Sequence, residues 1–196
     1  DGNARVDDGA GSIAGAQDFD GDNDFIDVAP AGLTTSGQAL TILVRANATG
    51  EPNGFPHVYG TGNTISVGTN EGRYWQLSWD SEDNGWWNRL RTDNGYGENW
   101  TTSGDRDTWA SLAVTYDGSA VRLYVDGTEI GSDSITGNLR SLDLPFRIGA
   151  NSGIADREFE GLIDEMRVAH VARSAEWIQA EHLSHTDALL SYGTVE

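Results

Sequence analysis

Two concentrations of side chains in this sequence are equipped for chemistry, a run of aspartates and a run of tryptophans. The aspartates are Asp18, Asp20, Asp22, Asp24 and Asp27, hard oxygen donors at nearly alternate positions, the ligand type that calcium prefers. The spacing matches an EF-hand loop only in part. Asn23 stands where the sharp-turn glycine belongs and no glutamate occupies the twelfth position, which excludes that motif. Two readings remain, a calcium site in a hairpin loop or a solvated turn in an acidic chain.

Five of the seven tryptophans, Trp75, Trp79, Trp86, Trp87 and Trp100, fall between residues 75 and 100, together with Tyr74 and Tyr96. Trp75, Leu77 and Trp79 alternate along one strand face and, with Trp109, read as core. Trp86 and Trp87 are adjacent, so a strand must send them to opposite faces, and one of them is expected at the surface. An exposed indole offers a flat apolar surface to the C–H face of a sugar ring, and Asn88, Arg89 and Arg91 offer hydrogen-bonding partners. The candidate ligand-binding residues are therefore Trp86, Trp87, Arg89, Tyr96 and Trp100, with residues 93–100 expected as a loop closing over the platform. The plainer reading is that these rings fill a large core.

Other chemistry finds little support. The chain has no cysteine, which removes disulfides, thiolate metal sites and cysteine nucleophiles. His57, His170, His182 and His185 form no short metal-ligand motif, and His182 and His185 read as a solvated helix terminus. Asn151 and Asp156 could serve a cation or a sugar hydroxyl, but both are ordinary turn formers. No nucleophile elbow and no phosphate-cradling glycine loop are present.

The elements that must position these groups are strands. Twenty-five glycines punctuate the chain, and apolar–polar alternation predicts strands over 24–28, 39–46, 55–60, 64–67, 73–80, 86–92, 109–116, 120–126, 145–150 and 161–170. Asp117-Gly118 and Asp126-Gly127 carry hairpin chemistry suited to positive φ. A helix is predicted over 174–185, with Ser174 as N-cap and Trp177, Ile178 and Leu183 as its apolar stripe, followed by a last strand over 188–195. The fold class expected is all-β, a two-sheet antiparallel sandwich of jelly-roll type with one short helix near the C-terminus. Residues 1–196 read as one domain cut from a larger extracellular protein.

Charge narrows the partners. Thirty-one acidic residues against twelve basic ones, all arginine, give a net charge of −19. That field opposes nucleic acid and anionic lipid, and is the usual mark of an acidic protein kept soluble in salty surroundings. No apolar run is long enough for membrane insertion.

Three stretches together resemble the laminin-G-like branch of the concanavalin A-like lectin/glucanase superfamily. Asp18-Phe19-Asp20-Gly21 with Asp24-Phe25-Ile26-Asp27-Val28 resembles its opening strand pair. Trp109 to Gly118 leading into Val121-Arg122-Leu123-Tyr124-Val125-Asp126-Gly127 is similar to its most recognisable hairpin. Phe146 to Ala150 and Phe159 to Val168 match its closing strands. The resemblance implies a structural Ca²⁺ held by Asp20, joined by Asp22 or Asp24, together with Asp164, and a glycan-binding sheet face on which Arg122 and Tyr124 would lie. It implies a non-catalytic carbohydrate-recognition or adhesion module at the cell surface or outside the cell, with a glycan and possible protein partners. The alternatives are a spacer domain and, more distantly, a glycan hydrolase. The laminarinase-type relatives carry a compact E-x-D-x-E or E-x-D-x-x-E strand motif, whereas Glu160, Asp164 and Glu165 stand at a different spacing.

Overall fold

Apolar alternation closes into two sheets in the computed structural model, which describes residues 5–7, 15–29, 33, 37–50, 55–62, 73–80, 83–102, 104–140 and 144–190. The strands are β1 (Arg5–Asp7), β2 (Ala16–Asp20), β3 (Ile26–Val28), β4 (Leu40–Ala48), β5 (His57–Gly62), β6 (Arg73–Asp80) and β7 (Gly85–Thr92). They continue as β8 (Gly95–Trp100), β9 (Ala110–Tyr116), β10 (Ala120–Val125), β11 (Thr128–Ser134), β12 (Phe146–Ile148) and β13 (Glu160–Ala169), followed by helix α1 (Ala175–His185). One sheet has the order β1-β2-β13-β4-β9-β10-β11, and the other β3-β12-β5-β6-β7-β8. All strand pairings within the sheets are antiparallel. The architecture is the jelly-roll sandwich expected.

The two inner faces share one core. Leu40, Ile42, Val44, Leu112, Val114, Val121 and Leu123 from one sheet meet Val58, Tyr59, Trp75, Leu77, Trp79, Trp86 and Leu90 from the other. Trp109 is only half-buried, contrary to expectation, because it lies under the Arg45 guanidinium, 5.2 Å from the ring centre, on the opposite side of the sheet from the core.

Turns follow their side chains. Asp126 (φ 49°) and Gly127 (φ 75°) both take positive φ, which lets a two-residue connection match the strand twist between β10 and β11. In the β9–β10 turn the Asp117 carboxylate accepts from the Ser119 and Ala120 amides, both at 2.9 Å, from Ser119 Oγ at 2.6 Å and from Arg122 at 2.6 Å. Burial alone would raise this carboxyl, but those hydrogen bonds outweigh it and hold it well below the ordinary carboxylate range.

Helix α1 starts where predicted. Ser174 is the N-cap, and its side chain accepts from the Trp177 amide. Ile178 buries against Ala113 and Tyr124, with Leu43 and Trp177 beside them, so the helix lies on the outer face of the seven-stranded sheet. The Arg122/Tyr124 face suggested for glycan contact is therefore partly covered, and Tyr124 is buried. Residues 188–190 lie outside any strand, and the remainder of the expected last strand, like that over 64–67, lies outside the described residues. Among the described residues no helix is long and apolar enough to cross a membrane.

Candidate functional site

The outer face of the six-stranded sheet carries most of the candidate ligand residues. Along β7, Trp86, Asn88 and Leu90 point inward while Trp87, Arg89 and Arg91 point outward, as strand alternation requires. Trp86 is 2% exposed and packs edge-on against Trp79, with ring centres 4.8 Å apart. As a surface contact it is corrected: the member of the pair on the outer face is Trp87, half-buried and tilted against Phe55 at 5.5 Å.

Residues 95–100 form an edge strand rather than a closing loop. Gly97 and Asn99 turn inward and Tyr96, Glu98 and Trp100 outward. The glycine that suggests a loop is demanded by packing, since a Cβ at Gly97 would stand 2.5 Å from Val121 Cγ1. The register sets Trp100 across from Trp87, Glu98 across from Arg89 and Tyr96 across from Arg91. Arg89 ion-pairs with Glu98 through Nε and Nη2, and its guanidinium lies over both Trp87 (5.2 Å) and Tyr96 (4.7 Å). Trp100 is 59% exposed and Tyr96 45%. Four strand positions separate these two rings on one face, roughly 14 Å at about 3.4 Å per residue, longer than a single sugar ring.

Residues that sequence reading did not single out complete the face. Ser78 stands across from both Trp87 and His57, and Gln76 across from both Arg89 and Gly60. His57 Nε2 donates to Gln76 Oε1 at 3.2 Å. Asn151 bridges to Gly60 and is buried, with its Oδ1 accepting from the Gly153 amide at 2.8 Å, whereas Asp156 is exposed. Only the pairing of β5, β6 and β7 brings these positions together, and alternation within one strand cannot show it.

The aspartates proposed for calcium do not converge as a set. The Asp22 amide donates to Asp20 Oδ1 at 3.0 Å, and the Asp20 amide to Asp24 Oδ2 at 3.4 Å, so the turn engages its own carboxylates. Asp24 is buried; Asp20 and Asp22 are exposed. Across from Asp20 the register places Glu160. Asp164 lies four positions further along β13, roughly 13 Å away by strand rise, beside a bulge in which Glu165 takes φ 54°. The pairing of Asp20 with Asp164 is thereby corrected, and no group of three potential metal ligands occurs among the described residues. His182 meets Ser111 Oγ at 3.1 Å, and His185 lies 3.9 Å from Glu181 of its own helix.

Comparison with known proteins gives one family and many folds alike. Residues 20–179 match the family described as the concanavalin A-like lectin/glucanases superfamily. Among curated proteins no sequence match is found. Similar solved structures include the binding domain of Paraclostridial Mosquitocidal Protein 1 (TM-score 0.67, 13% identity, 93% of this chain and 46% of that one). Another is domain 4 of AbnA, an extracellular arabinanase from Geobacillus stearothermophilus, in complex with arabinotriose (0.63, 19%, 91% and 81%). A third is the receptor binding domain of a botulinum neurotoxin C/D mosaic serotype (0.66, 15%, 93% and 45%). The chain spans less than half the length of the two toxin chains, and at these identities the likeness is one of fold.

Proposed function

Given that this chain belongs to the concanavalin A-like lectin/glucanases superfamily, we propose that it is a non-catalytic carbohydrate-recognition module of a secreted or cell-surface protein. Its site is the outer face of the six-stranded sheet. The observation that carries this reading is the row of Trp100, Trp87 and Tyr96 around the Arg89–Glu98 pair on one face. Flat apolar rings meet the C–H face of a sugar, and charged groups held between them meet its hydroxyls. Domain 4 of AbnA, which has a similar fold and is complexed with arabinotriose, supports the same class of ligand.

The arrangement does not favour glycan hydrolysis. Hydrolases set two carboxylates about 5–9.5 Å apart across the bond. Glu98 is ion-paired with Arg89, the neighbouring Asp133 carboxylate is engaged by the Glu98 amide at 3.0 Å, and Asp80 lies two strands and four positions away, roughly 16 Å by strand spacing and rise. A glycan-array screen tests the reading, with Trp100→Ala and Trp87→Ala as companions. Specific binding by the parent that weakens in these variants supports it. Absence of any glycan binding, with capture of a protein partner instead, replaces it with the spacer or protein-binding reading.

Calcium dependence is a separate proposal. It rests on Asp20, Asp22 and Asp24 sharing one turn, with Glu160 across the register in place of Asp164.

A further inference from the structure

We propose that the chain carries a second binding site, for a small amphipathic amine: one ring-sized apolar body bearing an ammonium group. The site is a cavity of about 180 Å³, open to solvent, at the margin of the sandwich away from β8. Phe19 and Ile163 wall it from one sheet, the cross-strand pair Ile26 and Ile148 from the other, and Met166 lies beside them. It shares no residue with the aromatic face.

Strand β13 opens this cavity. It pairs with β2 from Glu160–Asp20 to Ile163–Gln17, where that ladder ends, while Ala16 pairs onward with Asp7 of β1. On its other side β13 pairs Asp164 with Arg45 and next Arg167 with Leu43, so Glu165 and Met166 form a bulge against Val44 alone. Glu165 takes φ 54°, a left-handed backbone that a residue with a side chain rarely adopts. Asp164, Glu165 and Met166 all line the cavity. A backbone irregularity kept at the mouth of a cavity, in the middle of a regular ladder, is the pattern of a ligand site.

Size and lining define the ligand. A cavity of about 150 Å³ walled by aliphatic and aromatic side chains holds one benzene ring, so this one takes a six-membered ring with a short substituent. Met166, unbranched and polarizable, suits the edge of such a ring. The polar lining is Gln17 and the carboxylates of Asp164 and Glu165, with no basic group among the described lining residues. Glu165 is engaged by Arg167. Asp164 is the carboxylate assigned to the ammonium: its Oδ1 accepts from the Glu165 amide at 2.9 Å, and a carboxylate offers about four lone-pair sites. The contact is charge-assisted, and the net charge of −19 draws a cation toward it and opposes an anion.

Met166 is the single methionine of the chain, so isotope labelling of the methionine methyl places one NMR signal on the cavity wall. The titrations use three probes of matched size: phenethylammonium, phenethyl alcohol and phenylacetate. The Met166 signal should shift saturably, with the ammonium bound about tenfold more tightly than the alcohol and phenylacetate weakest. Asp164→Asn keeps an acceptor for the Glu165 amide and removes the charge, and should bring ammonium and alcohol to within about twofold. Ile26→Trp enlarges a wall residue that is 36% exposed and should fill the cavity and abolish the shift. If that variant does not fold, Asp164→Asn and the comparison of probes on the parent decide the matter. No Met166 shift with any probe, or equal affinity of the parent for ammonium and alcohol, overturns the proposal.

Discussion

Alanine at Trp86 and alanine at Trp100 should produce opposite phenotypes although both residues are tryptophans of paired strands. Trp86 is 2% exposed and held edge-on against Trp79. Burying a tryptophan removes up to about 250 Å² from water, worth roughly 6 kcal/mol at about 25 cal/mol per Å² as an upper bound. Partial collapse of the cavity brings the expected cost of Trp86→Ala to about 3–5 kcal/mol. Trp100 is 59% exposed and stands across the register from Trp87. Loss of such a pair costs about 0.2–1 kcal/mol, so Trp100→Ala should unfold near the parent midpoint. Binding should show the reverse order, with Trp100→Ala losing at least about 1 kcal/mol, roughly fivefold in affinity. Urea titrations with fixed slopes, followed by calorimetry on a glycan identified by array, separate the two quantities. The reasoning fails if Trp86→Ala costs less than about 1 kcal/mol, since that would be incompatible with a core residue. It fails equally if Trp100→Ala binds a validated glycan as tightly as the parent.

Three further outcomes can be checked independently. Asp117→Ala should cost about 1–2 kcal/mol at neutral pH, because it strips the acceptor from three donors in the β9–β10 turn. Since the folded carboxyl titrates below its unfolded value, its contribution is present above about pH 4 and fades as pH falls toward the folded pKa. The stability gap between parent and variant in urea should therefore narrow in acid, and a gap that widens would contradict the assignment. Gly149→Ala combines φ 81° with a Cβ only 2.2 Å from Phe19 Cε1. It should lower stability by about 2–4 kcal/mol in thermal or urea unfolding, and a neutral result would show that Phe19 can move aside. For calcium, the expected result is a melting temperature that rises with free Ca²⁺ in the parent and not in Asp20→Ala. Identical melting curves in calcium and in chelator would withdraw that proposal.

What could be read without coordinates was whatever depends on neighbours along the chain. Alternation identified the inward rows of Trp75, Leu77 and Trp79, and it required Trp86 and Trp87 to diverge. Ser174 and the Asp-Gly pairs marked the helix start and the hairpins because capping and positive φ are local properties. The misreadings arose where glycine or polarity has a tertiary cause. Strand β8 reads as a loop because Gly97 answers to Val121 on the other sheet. Strand β11, rich in exposed polar side chains, shows no apolar alternation because it lies at a sheet margin. The relation of Gln76 to Arg89, and of Asp20 to Glu160 rather than Asp164, is a matter of register, which no single strand contains.

The margin formed by β8 and β11 bears on how an open sheet edge is guarded. An edge strand normally offers a ladder of free amides on which a second copy can nucleate pairing. Here the outward amide of Glu98 is already spent on the Asp133 carboxylate of β11, at 3.0 Å. Asp93 and Asn138 tie the adjoining turn to the segment that follows β11 in the same manner. A strand approaching this edge meets an occupied donor and a guarding negative charge. The exposed rings of Tyr96 and Trp100 thus stand beside a sheet edge on which the Glu98 amide is taken and a carboxylate is posted.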